Sequence, residues 1–137
     1  MGDFFKLTYV ENTGAAFGQF AGQNEKLFII TVVFLIFLGI AIFYSKSNKW
    51  ELAGFLCIFA GAIGNAADRL FKGHVIDFLD FDFFDIHLKS FGFIEEFDMM
   101  RWPVFNFADS YICIGVGLVI LSNFLVNKLG TPITIKE

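Results

Sequence analysis

Carboxylates and amides near the ends of apolar segments are the residues of this sequence that could do chemistry. Asp109 lies at the start of one such segment, and an ionisable group at membrane depth is a functional candidate by default. Asn65 and Arg69 are four residues apart, so on a helix they would share a face and could bind a substrate carbonyl or hold loop backbone. Structural roles remain open, because Asp109 could cap a helix and Arg69 could extend to the membrane interface.

A second carboxylate close to Asp109 would make this set of residues reactive. Two negative charges a few ångströms apart repel each other, so such a pair shares one proton and offers a base and an acid together. The ionised member can take a proton from water that attacks an amide carbonyl, and the protonated member can protonate the leaving nitrogen. The chemistry would be peptide hydrolysis. The composition does not decide which acid pairs with Asp109, and the eligible residues are Asp77, Asp80, Asp82 and Asp85.

The sequence lacks the characteristic motifs of several other classes of protein. His74 and His87 are not part of an HExxH pattern, and no GxSxG pattern marks a serine nucleophile. Cys57 and Cys113 lie inside apolar runs without paired spacing, which argues against a disulfide framework or a thiolate metal site. The net charge is −4 and there is no basic patch, so we expect no nucleic-acid partner.

The composition indicates an integral membrane protein, in which membrane-spanning segments position these residues. The chain has 137 residues, of which 56% are hydrophobic and 18% charged, against roughly 45 to 50% apolar residues in a soluble domain. Three segments are apolar enough to be predicted spans, at residues 27–44, 52–67 and 107–126. Small residues recur in the second span, which favours close helix packing. We predict an all-α integral membrane protein with three transmembrane helices in one membrane domain.

The lysines predict the orientation of these spans. Lys46 and Lys49 separate the first two spans and Lys128 follows the third, so both regions should be cytoplasmic, with residues 127–137 as a cytoplasmic tail. Residues 68–106, in which acids outnumber bases, then form an outer loop. Polar residues of the second and third spans lie at the ends that adjoin this loop. The candidate site should therefore face the extracytoplasmic side.

Residues 1–26 are predicted to form a small extracytoplasmic β/loop element. Residues 4–10 alternate as in a strand, and the sequence Asn12-Thr13-Gly14 supplies a turn. The Phe- and Asp-rich residues 77–85 are predicted to form an interfacial strand or an amphipathic helix. An outer N-terminus before three spans has no signal to carry it across the membrane, so we expect a further helix to precede this sequence.

Three motifs, in this order and at these positions relative to the spans, closely resemble those of the lipoprotein signal peptidases (signal peptidase II). The resemblance covers almost the whole chain, and three ordered motifs are far more specific than one. The motifs are NTGAAF from Asn12, GNAADR from Gly64 with GHVIDF from Gly73, and FNFADS from Phe105.

The resemblance implies an aspartyl endopeptidase of the bacterial inner (cytoplasmic) membrane that removes signal peptides from prolipoproteins. Cleavage would fall just before the diacylglyceryl-modified cysteine of the lipobox. The partners would be diacylglyceryl-modified prolipoprotein signal peptides and membrane lipid. The resemblance also implies that the enzyme needs no metal and no organic cofactor, and we expect a monomer.

The same resemblance assigns roles to residues by their place in the motifs. The catalytic aspartates would be Asp77 and Asp109, and Asp68 would be a structural neighbour. Residues of the other motif positions would line the site or cover the substrate. These supporting residues are Asn12, Gly14, Asn65, Arg69 and Asn106.

Two features depart from the family pattern. Family members usually have four spans, with one helix before the segment that corresponds to residues 4–10. In addition, Asp109 follows Asp77 by 32 residues, a longer separation than is usual, which predicts an inserted outer loop around residues 80–100. An alternative function therefore remains, namely a truncated or degenerate homologue that binds lipidated substrates without cleaving them.

Overall fold

Helices dominate the computed structural model, which describes residues 4–14, 20–82, 86–88, 97–99 and 102–129. Within these ranges, three helices are long and apolar enough to cross a membrane. This confirms the predicted class, a mostly helical membrane protein with a small β element. The elements in chain order are β1 (Phe5–Asn12), α1 (Asn24–Tyr44), α2 (Lys49–Lys72), β2 (Val75–Phe81), β3 (Ile86–Leu88), β4 (Phe97–Met99) and α3 (Phe107–Leu129).

Helix α2 continues beyond the predicted span to Lys72, because local signals set both of its ends. The Asn48 side chain accepts hydrogen bonds from the backbone N–H groups of Trp50 and Glu51, as an N-cap residue does. At the other end Gly73 adopts a left-handed conformation, with φ of 79°, that a side chain would disfavour. The polar residues near the end of α2 are therefore helical and extend the helix beyond its apolar part.

Small residues bring the backbones of α2 and α3 into contact. A Cβ atom built on Gly115 would lie 2.5 Å from the carbonyl oxygen of Gly54, and one built on Gly61 would overlap the carbonyl oxygen of Ala108. This close approach is the packing that small residues permit between membrane helices. It places the first turn of α3 against the last turns of α2. Helix α1 contacts α2 and leaves large apolar side chains such as Phe37 and Phe43 exposed.

Strands β1 and β2 form an antiparallel pair beyond the ends of the helices. Leu7 lies opposite Leu79 and Val10 opposite Asp77, so Thr8 and Tyr9 together face the single residue Phe78. Two residues opposite one make a β-bulge.

The other edge of β2 is occupied by Phe105, immediately before α3. The Phe105 N–H donates to the Leu79 carbonyl at 3.0 Å, and the Leu79 N–H donates back at 2.7 Å. Strand β2 is therefore paired on both sides at its centre. The strand alternative for the Asp-rich run is confirmed up to Phe81, whereas residues 83–85 lie outside the described ranges. Strands β3 and β4 pair within the insertion predicted around residues 80–100. Residues 89–96 and 100 of this insertion also lie outside the described ranges.

Candidate active site

Asp77 is a buried carboxylate in the third position of β2, with only 3% of its surface exposed. Two asparagines donate to it from opposite edges of the strand. The Asn12 Nδ2 group, from the end of β1, donates to Asp77 Oδ2 at 2.9 Å. The Asn106 Nδ2 group, from the residue before α3, donates to Asp77 Oδ1 at 2.8 Å. Both carboxylate oxygens thus receive an amide hydrogen bond, which explains how a buried acid is tolerated here.

The loop after β1 fixes the orientation of the Asn12 amide. Its Oδ1 atom accepts a hydrogen bond from the Gly14 backbone N–H at 2.9 Å, an Asx-turn that leaves Nδ2 free to reach Asp77. The Gly14 carbonyl in turn accepts from Arg69 Nη2 at 3.0 Å, and Arg69 Nη1 donates to the Asn65 carbonyl at 3.3 Å. Arg69 therefore holds loop backbone, which is one of the roles that the sequence left open for it.

Asn106 and Asp109 cap helix α3 reciprocally. The Asn106 Oδ1 atom accepts from the Asp109 backbone N–H at 3.0 Å, and Asp109 Oδ2 accepts from the Asn106 backbone N–H at 3.2 Å. This is the arrangement of a capping box, with Asn106 as the N-cap and Asp109 three residues later. The other oxygen, Asp109 Oδ1, accepts from Asn65 Nδ2 at 2.7 Å. Asp109 therefore takes part in capping and also points an oxygen toward α2.

Asn106 links the two carboxylates. Its Nδ2 group donates both to Asp77 Oδ1 and to Asn65 Oδ1, the latter at 3.1 Å. Because Asn65 also donates to Asp109, a continuous hydrogen-bonded chain joins both acids through two amides. An amide carries a donor and an acceptor with fixed geometry, so this chain sets the mutual position of the carboxylates without a charged side chain between them.

Burial raises the pKa of Asp77 above its ordinary value, since desolvation disfavours the charged carboxylate. The hydrogen bonds from Asn12 and Asn106 oppose this by stabilising the anion. The Asp109 carboxylate raises the pKa of Asp77 further, and the Arg69 guanidinium lowers it. Because the net shift is upward, Asp77 keeps its proton to a higher pH than an ordinary aspartate does, which suits a site that holds one proton between the two acids.

Both carboxylates line a cavity of about 710 Å³ between β1, the ends of α2 and α3 and the segment that leads into α3. Its polar lining includes Asn12, Asn65 and Arg69. Much of the remaining lining is apolar, and sequence reasoning missed it because no chemically distinctive residue marks it. These apolar lining residues include Trp102, Pro103, Val104, Phe105, Ile112 and Cys113.

The other candidate acids lie elsewhere. Asp80 is buried, with 3% exposure, but its Oδ2 atom accepts from Thr8 Oγ1 at 2.8 Å instead of joining the Asn65–Asn106 chain. Asp82 is exposed, and Asp85 lies outside the described residues. Asp68 forms an ion pair with Lys72 at 2.8 Å, which agrees with a structural role. The structure thus brings Asp77 to Asp109.

All seven residues selected from the sequence lie in this one network or along the cavity. Sequence reasoning missed Asn24, whose Nδ2 group donates to the Arg69 carbonyl at 3.3 Å. In the part of the chain that the structure describes, no group of three His, Cys, Asp or Glu side chains could hold a metal ion.

Comparisons with known proteins show which sequences and folds this chain is similar to. The model of the family described as signal peptidase (SPase) II matches residues 1–125. A lipoprotein signal peptidase of Borrelia hermsii is 38% identical over 96% of this chain and 75% of its own length. One from Nostoc punctiforme is 38% identical over 88% of this chain and 66% of its own length. A solved structure of a bacterial membrane enzyme superposes with a TM-score of 0.76 and 31% identity, covering 99% of this chain and 75% of that one.

Proposed function

This chain belongs to the signal peptidase II family, as its three motifs predicted, and on that premise we propose that it is an aspartyl endopeptidase with Asp77 and Asp109 as its catalytic pair. The family assignment makes the chain a protease that removes signal peptides from prolipoproteins. The single observation that supports the aspartyl assignment is the hydrogen-bonded chain that joins Asp77 to Asp109 through Asn106 and Asn65.

In the proposed reaction the two acids share one proton. Burial favours neutral Asp77, so we assign the proton to Asp77 and the negative charge to Asp109. Asp109 takes a proton from water as the water oxygen attacks the scissile carbonyl carbon. Asp77 hydrogen-bonds to the carbonyl oxygen and polarises it. Asp77 then transfers its proton to the leaving nitrogen as the C–N bond breaks. Neither step requires a metal or an organic cofactor.

The supporting residues hold this pair in position. Asn65 and Asn106 fix the two carboxylates, and Asn12 stabilises the charge that develops on Asp77 when it gives up its proton. Arg69 holds Gly14 and thereby the turn that orients Asn12. In this proposal the residues do not exchange protons with the substrate, so their loss should slow cleavage less than loss of either aspartate.

The proposed substrate is a prolipoprotein whose cysteine carries a diacylglyceryl group, cleaved just before that cysteine. The cavity supports this choice, because its lining combines the two carboxylates with apolar residues that include Ile112 and Cys113 of α3. A signal helix and lipid chains could enter laterally from the membrane and present the scissile bond at its outer surface. A substrate that fills the cavity in this way would exclude all water except the attacking molecule.

We also propose a single multi-pass domain in the bacterial inner membrane, acting as a monomer with its site outside. The carboxylates lie near the C-terminal end of α2 and the N-terminal end of α3. Lys46, Lys49 and Lys128 lie at the opposite ends of the spans, and lysines favour the cytoplasmic side. Residues 1–26 and 68–106 would then be outside, with 127–137 inside.

The test is cleavage of a diacylglyceryl-modified prolipoprotein peptide by the chain in nanodiscs, with the products identified by mass spectrometry. The proposal predicts one cut, before the modified cysteine, and far slower cleavage of the same peptide without the diacylglyceryl group. Asp82→Asn should cleave normally, since Asp82 is exposed. Tight binding of the lipidated peptide without any cleavage would instead favour the non-catalytic homologue.

A further inference from the structure

The bulge in β1 decides which face of the sheet Asn12 occupies. Residues directly opposite each other in an antiparallel pair point to the same face, and alternate residues of a strand share a face. Val10 is opposite Asp77 and Asn12 is opposite Val75, so Asn12 and Asp77 share a face. This sharing allows the 2.9 Å hydrogen bond between them.

Without the bulge the same strand would place Asn12 on the wrong face. Continuing the register from Leu7 opposite Leu79 would put Tyr9, not Val10, opposite Asp77. A one-residue slip moves every following side chain to the other face of the sheet. Asn12 would then point away from Asp77, and the buried carboxylate would lose one of its two amide donors.

Contacts on the reverse face of the sheet join the bulge in β1 to Asp80 of β2. Asp80 is three residues from Asp77, so strand alternation places it on the face away from the cavity. Asp80 Oδ2 accepts from the hydroxyl of Thr8, the first residue of the bulge, at 2.8 Å. It also lies 3.7 Å from Lys6 Nζ, and Lys6 is its direct cross-strand neighbour. The hydroxyl bond comes from a half-buried residue to a buried carboxylate, whereas Lys6 is half exposed and so contributes less.

We propose that Thr8 and Asp80 are positioning residues for the catalytic pair, which fix the bulge and thereby the Asn12–Asp77 hydrogen bond from the far side of the sheet. This inference rests on the proposed function of the same site. Neither residue lines the cavity, so neither touches substrate. In this proposal they act on catalysis through Asn12.

The first test replaces the hydroxyl without changing the shape of the side chain. Thr8→Val should lower kcat/KM about tenfold, the effect of losing one hydrogen bond to a charged group, mainly through kcat. Thr8→Ser keeps the hydroxyl and should restore at least half of the wild-type rate. Tyr9→Phe alters the other bulge residue without touching Asp80 and serves as the matched control, with an unchanged rate. A wild-type rate for Thr8→Val would overturn the proposal.

Asp80 offers a second, independent pair of variants. Asp80→Asn keeps an oxygen that can accept from Thr8 and should remain active, whereas Asp80→Leu removes the acceptor and should resemble Thr8→Val. If Asp80→Leu does not fold, the Thr8 variants still decide the question. Equal activity of folded Asp80→Leu and Asp80→Asn would contradict the proposal.

A pH profile separates positioning from general weakening of the sheet. Loss of the Asn12 bond removes a stabilising contact from ionised Asp77, so the alkaline limb of kcat/KM should move to higher pH in Thr8→Val and stay in place in Thr8→Ser. The charged groups that face Asp77, Asp109 from α3 and Arg69 from α2, are unchanged in both. In an Asn12→Ala background, Thr8→Val should add nothing. A further loss in that background, with the limb unmoved, would mean a structural role only.

A direct titration of the Asp77 carboxyl by carbon-13 NMR distinguishes failure of this inference from failure of the proposed function. If the wild-type chain cleaves nothing, the proposed function fails. The titration still decides the positioning role, because the pKa of Asp77 should rise in Thr8→Val and not in Thr8→Ser. The same pKa of Asp77 in all three proteins would overturn the inference even in an active enzyme.

Discussion

Asn106 combines two tasks that proteins usually assign to separate residues. Its Oδ1 atom caps α3 through the Asp109 N–H, and its Nδ2 group donates to Asp77 and Asn65. The cap makes the amide rigid, since a side chain held at one end cannot rotate to lose its contacts at the other. The distance between the two acids is therefore tied to the start of a membrane helix.

The two tasks of Asn106 can be separated by substitution. Asn106→Ser keeps an oxygen suited to an N-cap but has no amide to donate to the buried Asp77 carboxylate, so we expect the helix cap to be kept and the free energy of unfolding to fall by about 1–3 kcal/mol. We expect kcat/KM to fall about a hundredfold, because two donors that position the pair are lost. Thermal unfolding and cleavage rates measured on the same preparations check this. A stable and fully active Asn106→Ser enzyme would contradict the role of Asn106 in joining the acids.

Asn12 affects the pH dependence of cleavage directly. Its hydrogen bond favours ionised Asp77, so Asn12→Ala should raise the pKa of Asp77 beyond the increase that burial already causes. The pair then keeps its shared proton up to a higher pH. We expect the alkaline limb of the kcat/KM profile to shift to higher pH, with a lower maximum rate. A shift of this limb to lower pH would mean that the proton resides elsewhere.

At the level of secondary structure, the sequence predicted the membrane helices, which depend on composition. It missed the strand register, which depends on pairing. Uninterrupted apolar runs identify membrane helices because every backbone group must be satisfied within the helix. The apolar run did not predict that α2 extends to Lys72, because the Gly73 cap determines the end of this helix. Without the family resemblance, which pointed to Asp77, the acid that pairs with Asp109 stayed open, since strand register decides it and no pattern in β1 indicates the bulge at Thr8.

The capping box of α3 could have been found from the sequence alone. Asn106 precedes an apolar run and Asp109 follows three residues later, which is the spacing of reciprocal capping. Recognising that spacing places both residues at the first turn of the helix. It does not show that Asn106 reaches Asp77, because this contact depends on the pairing of Phe105 with Leu79 across the sheet.

Contact between α2 and α3 should be the most sensitive helix packing in the molecule. A Cβ atom at Gly61 would overlap the carbonyl oxygen of Ala108, one residue before Asp109, so Gly61→Val must separate the helices. We expect a loss of about 1–3 kcal/mol in the free energy of unfolding, together with loss of activity.

Gly117 provides the matched control for that substitution, since a Cβ atom there meets nothing within 4 Å. Gly117→Val should leave both unfolding and cleavage unchanged. Denaturation in mixed detergent micelles, compared for the two variants, measures the difference. Similar stability of Gly61→Val and Gly117→Val would contradict the close packing of α2 on α3.

At the scale of the whole molecule, the positions of the lysines and of the site predict the orientation of the chain in the membrane. In a background where Cys57 and Cys113 are replaced by Ala, a single cysteine at Leu7 should react with an impermeant maleimide added to spheroplasts. A single cysteine at Ser47, between α1 and α2, should react only after permeabilisation. The opposite pattern would place the site at the cytoplasmic face.

The measurement that tests the central claim most directly is the cleavage rate of Asp77→Asn and Asp109→Asn, each compared with wild type and Asp82→Asn in the same nanodiscs. Binding of the lipidated peptide and thermal unfolding would be measured on the same samples. The account predicts that both dyad variants fold and bind the peptide but cleave it at the background rate, while Asp82→Asn cleaves normally. Cleavage by either folded dyad variant at a rate near that of wild type would contradict the assignment of Asp77 and Asp109 as the catalytic pair.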